Sequence, residues 1–548
     1  MCLENGRASH FQTLDSLMSA KATWKVSAAV MASRVLGLAR EVMFTTIFGA
    51  GAALDCFQLA FRVPNLLRDL FAEGALSQAF VTTFSKKLKS DGDESAWLLA
   101  NKMLTLVTVF MSIVTVIGVF AAPWIVDLLT LLARDDSSHR VYSPQDLTLT
   151  VTMVRIMYPF ILLVSLAALV MGILNAKNVF GMPALSSCFF NLGSMIGGAA
   201  IGYWMDPHWG PQSLIGFSIG VLIGGLAQLV CQFPALWKTG HRFVADFKWR
   251  DPGVAQILRL MGPAVISSSV VQINVVVNSM FAVHVGAGAV SWLNCAFRLM
   301  QLPIGIFGVA VATVTLPALS RAAIGGVSAE FGPTLRKGLQ LVAFLVIPST
   351  IGLAALAEPI ISVIYEHGNF TAMQRVETAR ALQAYGYGLV FYAALKVLQP
   401  AFYAIDKRWF PMMVSFLALG LNLGFNYFFV YVLKLGHESL AFTTSITASV
   451  NFLLLFIVMR KFTPGLEVGK LLALLGKLLF AGAAMAAVCI AANHFVFQNL
   501  EKTNLIVKVI QLGATIGVAA GVYFVASKIM RVSEAEEALN MVMRKMRR

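Results

Sequence analysis

The stretches SRVLGLARE (Ser33–Glu41) and DCFQLAFRVPNLLRDLFAE (Asp55–Glu73) decide how this chain is read. Each lies in a run apolar enough to cross a bilayer as a helix, which takes about 20 residues. Together they hold four arginines (Arg34, Arg40, Arg62, Arg68) and four carboxylates (Glu41, Asp55, Asp69, Glu73). A charge at the bilayer centre costs roughly 2.5–3.5 kcal/mol on insertion scales. Charges kept at that cost face a wet, protein-lined interior, so they are candidate functional groups.

The rest of the chain supports the membrane reading. Of its 548 residues, 58% are hydrophobic and 13% charged; soluble domains carry about 25% charged residues. Mean hydropathy is +0.76. The expected fold class is therefore an all-α polytopic membrane protein. The net charge of +15 sits in short clusters between apolar runs, so membrane orientation explains it and nucleic acid is not an expected partner. Six cysteines (Cys2, Cys56, Cys188, Cys231, Cys295, Cys489) show no C-x-x-C or metal-ligand spacing and read as small core residues. Residues 1–24 lack the apolar core of a signal peptide, and Met18 is an alternative start to Met1.

Apolar runs place fourteen spans. They lie near 26–48, 53–84, 97–130, 146–175, 181–205, 211–237, 254–283, 287–319, 334–357, 377–404, 410–433, 438–460, 468–494 and 504–530. Alternate loops are basic, among them Lys86-Lys87, Lys238 to Arg250, Arg321 to Lys337, Lys407-Arg408 and Arg460 to Lys470. The positive-inside rule puts these loops and both termini in the cytoplasm. The expected domains are a cytoplasmic segment 1–25, a first lobe 26–238, a linker 239–253, a second lobe 254–462, an additional helix pair 463–531 and a basic tail 532–548. Two six-helix halves around a central site are a common transporter plan. A faint echo at an offset of 235 residues relates Ala75…Phe84-Ser85-Lys86 to Ala310…Leu319-Ser320-Arg321. Glycines 193, 197, 198, 202, 216, 220, 224 and 225 mark close helix packing or a hinge.

Arg34, Gly37 and Glu41 share one helix face, with Arg40 about 120° away. Asp55, Arg62 and Asp69 recur every seven residues along one stripe; Glu73 continues it, and Pro64-Asn65 loosens the backbone between. Arg298 adds a cation in the equivalent span of the second half. Snorkelling to the headgroups suits Arg155, Arg259 and Lys396, which lie near span ends, but not Arg34, Arg68 or Arg298. For those three, two readings stay open: charge neutralisation by neighbouring carboxylates, or an anion site, since guanidinium forks match phosphate oxygens. A central anion site implies transport of an anionic substrate, and clustered arginines suit a diphosphate. In the additional pair, small residues in Leu471–Ile490 offer a flat surface for a lipid chain or for ordinary lipid packing.

Ser33-Arg34-Val35-Leu36-Gly37-Leu38-Ala39-Arg40-Glu41, Asp55, Pro64-Asn65-Leu66-Leu67-Arg68, Phe71-Ala72-Glu73-Gly74-Ala75-Leu76-Ser77-Gln78-Ala79-Phe80 and Arg298-Leu299-Met300 resemble the MurJ (MviN) family of lipid II flippases, from about Val26 to the last span. The resemblance implies the MOP exporter fold, two six-helix lobes with a helix pair forming the groove for the polyprenyl tail. It implies that Arg34, Arg40, Arg68 and Arg298, with Asn65 and Glu73, engage the diphosphate-sugar head group of lipid II. Glu41, Asp55, Arg62 and Asp69 are then charge-pairing or structural groups. The implied protein is a monomeric transporter of the bacterial inner membrane, in contact with membrane lipids and working by alternating access. No cofactor or metal is expected; the membrane potential or an ion gradient would drive it, with no ion specified.

Two departures stand out. Where many relatives carry acidic residues around the arginine of the eighth span, this chain has Phe297 and Gln301; where many carry tandem arginines in the second, it has Arg68-Asp69. An enzyme would want acid/base groups that converge at a water-facing site. The loop Ala133–Asp146 offers only Asp135, Asp136 and His139. A drug or cation antiporter would want a carboxylate-dominated interior, and this one is arginine-rich.

Overall fold

The computed structural model describes residues 28–70, 76–134, 142–324, 326–463 and 465–536. These form helices and their connections, with no strand among the described residues. Ten helices among them are long and apolar enough to cross a membrane. Many of these present apolar side chains outward as well as inward. Phe120 is 72% exposed and Phe480 66%, the surface that lipid accepts and water does not. Glu73 and the segments 1–25 and 537–548 lie outside the described residues. Contacts between backbone segments divide the chain into two compact units, Met1–Phe48 with Ala52–Val276, and Gly49–Gly51 with Val277–Arg548.

The first unit opens with α1 (28–48), α2 (Ala52–Leu67) and α3 (Ser77–Leu129). The expected polar loop near 85–96 is instead helical. Lysine, leucine, glutamate and alanine keep the helix going beyond the apolar stretch, and it breaks only at Gly92, whose φ of 82° and ψ of −178° leave the helical region. Then come α4 (Pro144–Met157) and α5 (Phe160–Ala176), one span turned at Tyr158-Pro159, where proline lacks the amide an uninterrupted helix uses. They are followed by α6 (Gly181–Met205), α7 (Ser213–Val230) and the short α8 (Phe233–Lys238).

α6 and α7 meet backbone to backbone. A Cβ at Gly216 would stand 2.3 Å from the Gly202 nitrogen, and one at Gly220 would stand 2.5 Å from the Gly198 Cα. The glycine pattern therefore serves close packing. Phe217 of α7 holds α1 through Phe44 (5.0 Å between ring centroids) and Phe48 (5.4 Å). The basic segment after α8 lies along α3. Lys102 donates to Asp251 Oδ2 at 2.7 Å, His241 Nε2 meets Asn101 Oδ1 at 3.0 Å, and Asp246 N–H donates to Thr105 Oγ1 at 3.1 Å. Burial lowers the pKa of His241. Asp251 is pushed up by burial, but the Lys102 hydrogen bond, the Gly253 N–H and Lys87 outweigh it and leave its pKa below the usual carboxylate range.

α9 (Pro252–Val285) carries the chain onward, and the division between the units falls within it. The second unit contains α10 (Ala289–Pro303), a π-helical turn Ile304–Gly308 and α11 (Val309–Ala322). Next are α12 (Phe331–Ala355), α13 (Ala357–Ile364), α14 (Ala372–Gly386) and α15 (Leu389–Ala404). α16 (Trp409–Tyr427) ends in a second π-turn, Phe428–Val432, before α17 (Glu438–Phe462). The additional pair, α18 (Val468–Phe495) and α19 (Leu505–Ile529), packs on α12. Tyr523 O–H donates to the Phe344 carbonyl at 2.9 Å. Lys508 of α19 donates to Ser362 Oγ at 2.8 Å and Glu366 Oε2 at 3.2 Å, and Arg375 pairs with the same carboxylate. The five cysteines among the described residues form no disulfide.

Candidate substrate-binding site

In the first unit the charged residues fall into distinct local settings. Arg34 is exposed on α1, one residue beyond Ser33, whose carbonyl accepts from Asn191 Nδ2 at 3.2 Å. Arg40, half-buried, lies over the Phe190 ring at 5.1 Å, a cation–π contact that desolvates part of the guanidinium. Glu41 is 4% exposed, and its Oε1 accepts from Gln58 Nε2 at 3.4 Å, which links α1 to α2.

Along α2 the stripe separates into two. Asp55 is fully buried, and its Oδ2 accepts from the Tyr142 hydroxyl at 2.8 Å. Burial, and then the Asp55 charge, raises the Tyr142 pKa well above its ordinary value, so the phenol keeps its proton and goes on donating. At the other end, Arg68 donates to Asp69 Oδ1 through Nε at 3.0 Å and Nη2 at 2.7 Å. Residues 68–70 form a π-helical turn just after Pro64 and Asn65. Such turns widen the helix and are frequent at functional sites. Asn65 is half-buried one turn before Arg68, and Arg62 is half-buried on the same helix.

Arg298 is half-buried on α10 of the second unit, six residues before Ile304–Gly308. Arg62 precedes the π-turn at Arg68 by the same interval. Phe297, which with Gln301 forms the departure around Arg298, packs against Tyr385 of α14 with ring centroids 5.5 Å apart. An aromatic contact thus lies directly beside Arg298. Gln301 is exposed.

The structure thus joins Arg68 to Asp69, Glu41 to Gln58 and Asp55 to Tyr142. The last two partners were not singled out in the sequence. Tyr142 lies 87 residues from Asp55, and no spacing rule connects them. Gln58 sits one turn after Asp55 and one turn before Arg62, and that place on the charged stripe was the one signal available.

The model of the family described as lipid II flippase MurJ matches residues 44–510. The chain belongs to the MurJ lipid II flippase family. A lipid II flippase MurJ of Burkholderia cenocepacia is 35% identical over 445 residues, 80% of this chain and 84% of that one. A probable lipid II flippase MurJ of Vibrio cholerae is 36% identical over 441 residues, 79% of this chain and 81% of its own length. Among solved structures, a lipid II flippase MurJ in an inward closed conformation superposes with a TM-score of 0.74 at 27% identity, covering 92% of this chain and 98% of that one. An inward-facing MATE multidrug resistance transporter of the MOP superfamily reaches 0.64 at 16% identity, covering 83% and 98%; it shows the fold alone. The expected MOP exporter fold is therefore the observed one. MurJ membership also makes this chain a transporter rather than an enzyme, as its scattered polar residues suggested.

Proposed function

We propose that this chain flips lipid II from the inner to the outer leaflet of the bacterial inner membrane. The family match over residues 44–510 carries the reading. The proposed head-group site comprises Arg34, Arg40, Asn65, Arg68, Glu73 and Arg298, with the arginines taking the diphosphate. Chemistry supports it: guanidinium stays charged in a partly desolvated setting and offers paired donors to phosphate oxygens. At Arg68 the π-turn and Asp69 hold the fork in place. Glu41, Asp55, Arg62 and Asp69 act as partners that position these cations.

In this reading the chain crosses the membrane fourteen times with both termini in the cytoplasm, works as a monomer by alternating access, and needs no cofactor. The polyprenyl tail lies on α18 and α19, and the membrane potential or an ion gradient supplies the driving force. Depletion in the native bacterium, followed by a leaflet-specific lipid II assay, tests the function. The expected result is accumulation of lipid II in the inner leaflet; an unchanged distribution would overturn it.

A further inference from the structure

Within the second unit, a buried imidazole faces two carboxylates. His437 caps the start of α17 and is 3% exposed. Its Nε2 lies 2.8 Å from the backbone carbonyl of Glu377 on α14. A carbonyl only accepts, so Nε2 carries the hydrogen. In the neutral ring Nδ1 is then a lone pair. Nδ1 lies 3.5 Å from Glu438 Oε2 and 3.7 Å from Glu377 Oε2. Three electron-rich atoms, one from each residue, lie within 4.8 Å of one another. The Arg380 guanidinium pairs with one of the two carboxylates, that of Glu377.

We propose that His437 Nδ1, Glu377 Oε2 and Glu438 Oε2 bind a divalent transition-metal cation, Zn2+ or Mn2+. Tetrahedral bonds of about 2.1 Å set neighbouring ligand atoms roughly 3.4 Å apart, close to the two separations from Nδ1. One imidazole and two carboxylates suit these ions. The surroundings are those of a metal site, in which the ligating histidine donates its other N–H to a carbonyl and the ligating carboxylate is itself hydrogen-bonded. Nε2 meets the first condition. Arg380 meets the second, donating through Nη1 to Glu377 Oε1 at 3.1 Å and, at a longer 3.4 Å, to Oε2 itself. Trp292 of α10 sets the ring plane, edge-on to His437 with centroids 4.8 Å apart. Gly436 leaves room for the Glu438 carboxylate, since a Cβ there would be 2.5 Å from Oε2. The ion would fasten α14 to the start of α17, a structural role independent of the transport reading.

The test uses the full-length chain in detergent, stripped with chelator and titrated separately with Zn2+ and Mn2+, with bound metal measured by mass spectrometry. Wild-type protein is expected to retain about one equivalent of at least one ion, with a higher melting temperature than the stripped form. His437→Gln and Glu438→Gln should each weaken binding at least about tenfold while melting like stripped wild type in chelator. Failure of the wild-type chain to hold either ion stoichiometrically would overturn the site, whatever the variants do. Unchanged affinity in both variants would do the same.

Discussion

Replacing Arg68 tests the candidate site most directly, because the structure names the group left behind. Its guanidinium approaches Asp69 Oδ1 at 2.7 Å and 3.0 Å, with side chains 21% and 30% exposed. A hydrogen bond involving a charged group contributes about 1.5–3 kcal/mol net, and a fork onto a substrate phosphate in the same setting is of that order. Losing it should weaken head-group binding by about tenfold to about a hundredfold. Arg68→Ala is therefore expected to cut lipid II flipping by at least about tenfold in reconstituted vesicles, scored with a leaflet-specific assay, while its yield in the membrane stays near wild type. Arg68→Lys keeps the charge without the fork and should fall between. The decisive comparison is Arg68→Ala with Asp69→Asn. If the single variant fails only because Asp69 is left as a lone carboxylate, the double variant recovers. Recovery to wild-type flipping would refute the anion-site reasoning, as would a normal rate in Arg68→Ala alone.

Other outcomes follow from the packing. Gly220→Ala puts a methyl 2.5 Å from the Gly198 Cα, a backbone clash no rotamer relieves; it should cost about 1–3 kcal/mol or more, read as a lower melting temperature. Tyr142→Phe removes the donor to fully buried Asp55 and should cost about 1.5–3 kcal/mol by the same measurement. Asp251→Asn breaks the 2.7 Å pair with Lys102, whose side chains are 13% and 15% exposed, and should speed hydrogen exchange along residues 240–250. Because the pKa of Asp251 is lowered in the folded chain, this anchor is at full strength above the ordinary carboxylate value of about 4. It fades as pH falls through the lowered value, and the exchange profile should show protection lost on that acid side.

Much of the fold was legible because a bilayer imposes a coarse rule. Runs such as 181–205 and 438–460 need only be long and apolar, and the helices found there, Gly181–Met205 and Glu438–Phe462, keep nearly those bounds. The rule fails where helix and apolar run part company. Residues 85–96 carry charge, yet stay helical apart from Gly92, since charge governs where a helix meets water and propensity governs whether it continues. The site was legible in kind but not in pairing. Arg68 and Asp69 are neighbours in the chain, and their contact was within reach of inspection. Heptad spacing shows only one element at a time, so it could match Asp55 with the arginines on its own helix but could not reveal its contact with Tyr142, 87 residues away.

The chain by itself determined that this protein is an all-helical membrane protein with costly charges in its first two spans and one arginine in the matching later span. The physical reason is that hydrocarbon thickness and the expense of an intramembrane charge act on composition and local order alone. Tertiary structure decided which groups the charges meet, among them Tyr142 at Asp55, Gln58 at Glu41, the Phe190 ring at Arg40, and two carboxylates beside His437 Nδ1. Those meetings rest on helix crossings that only packing sets, such as the close approach of Gly216 to Gly202.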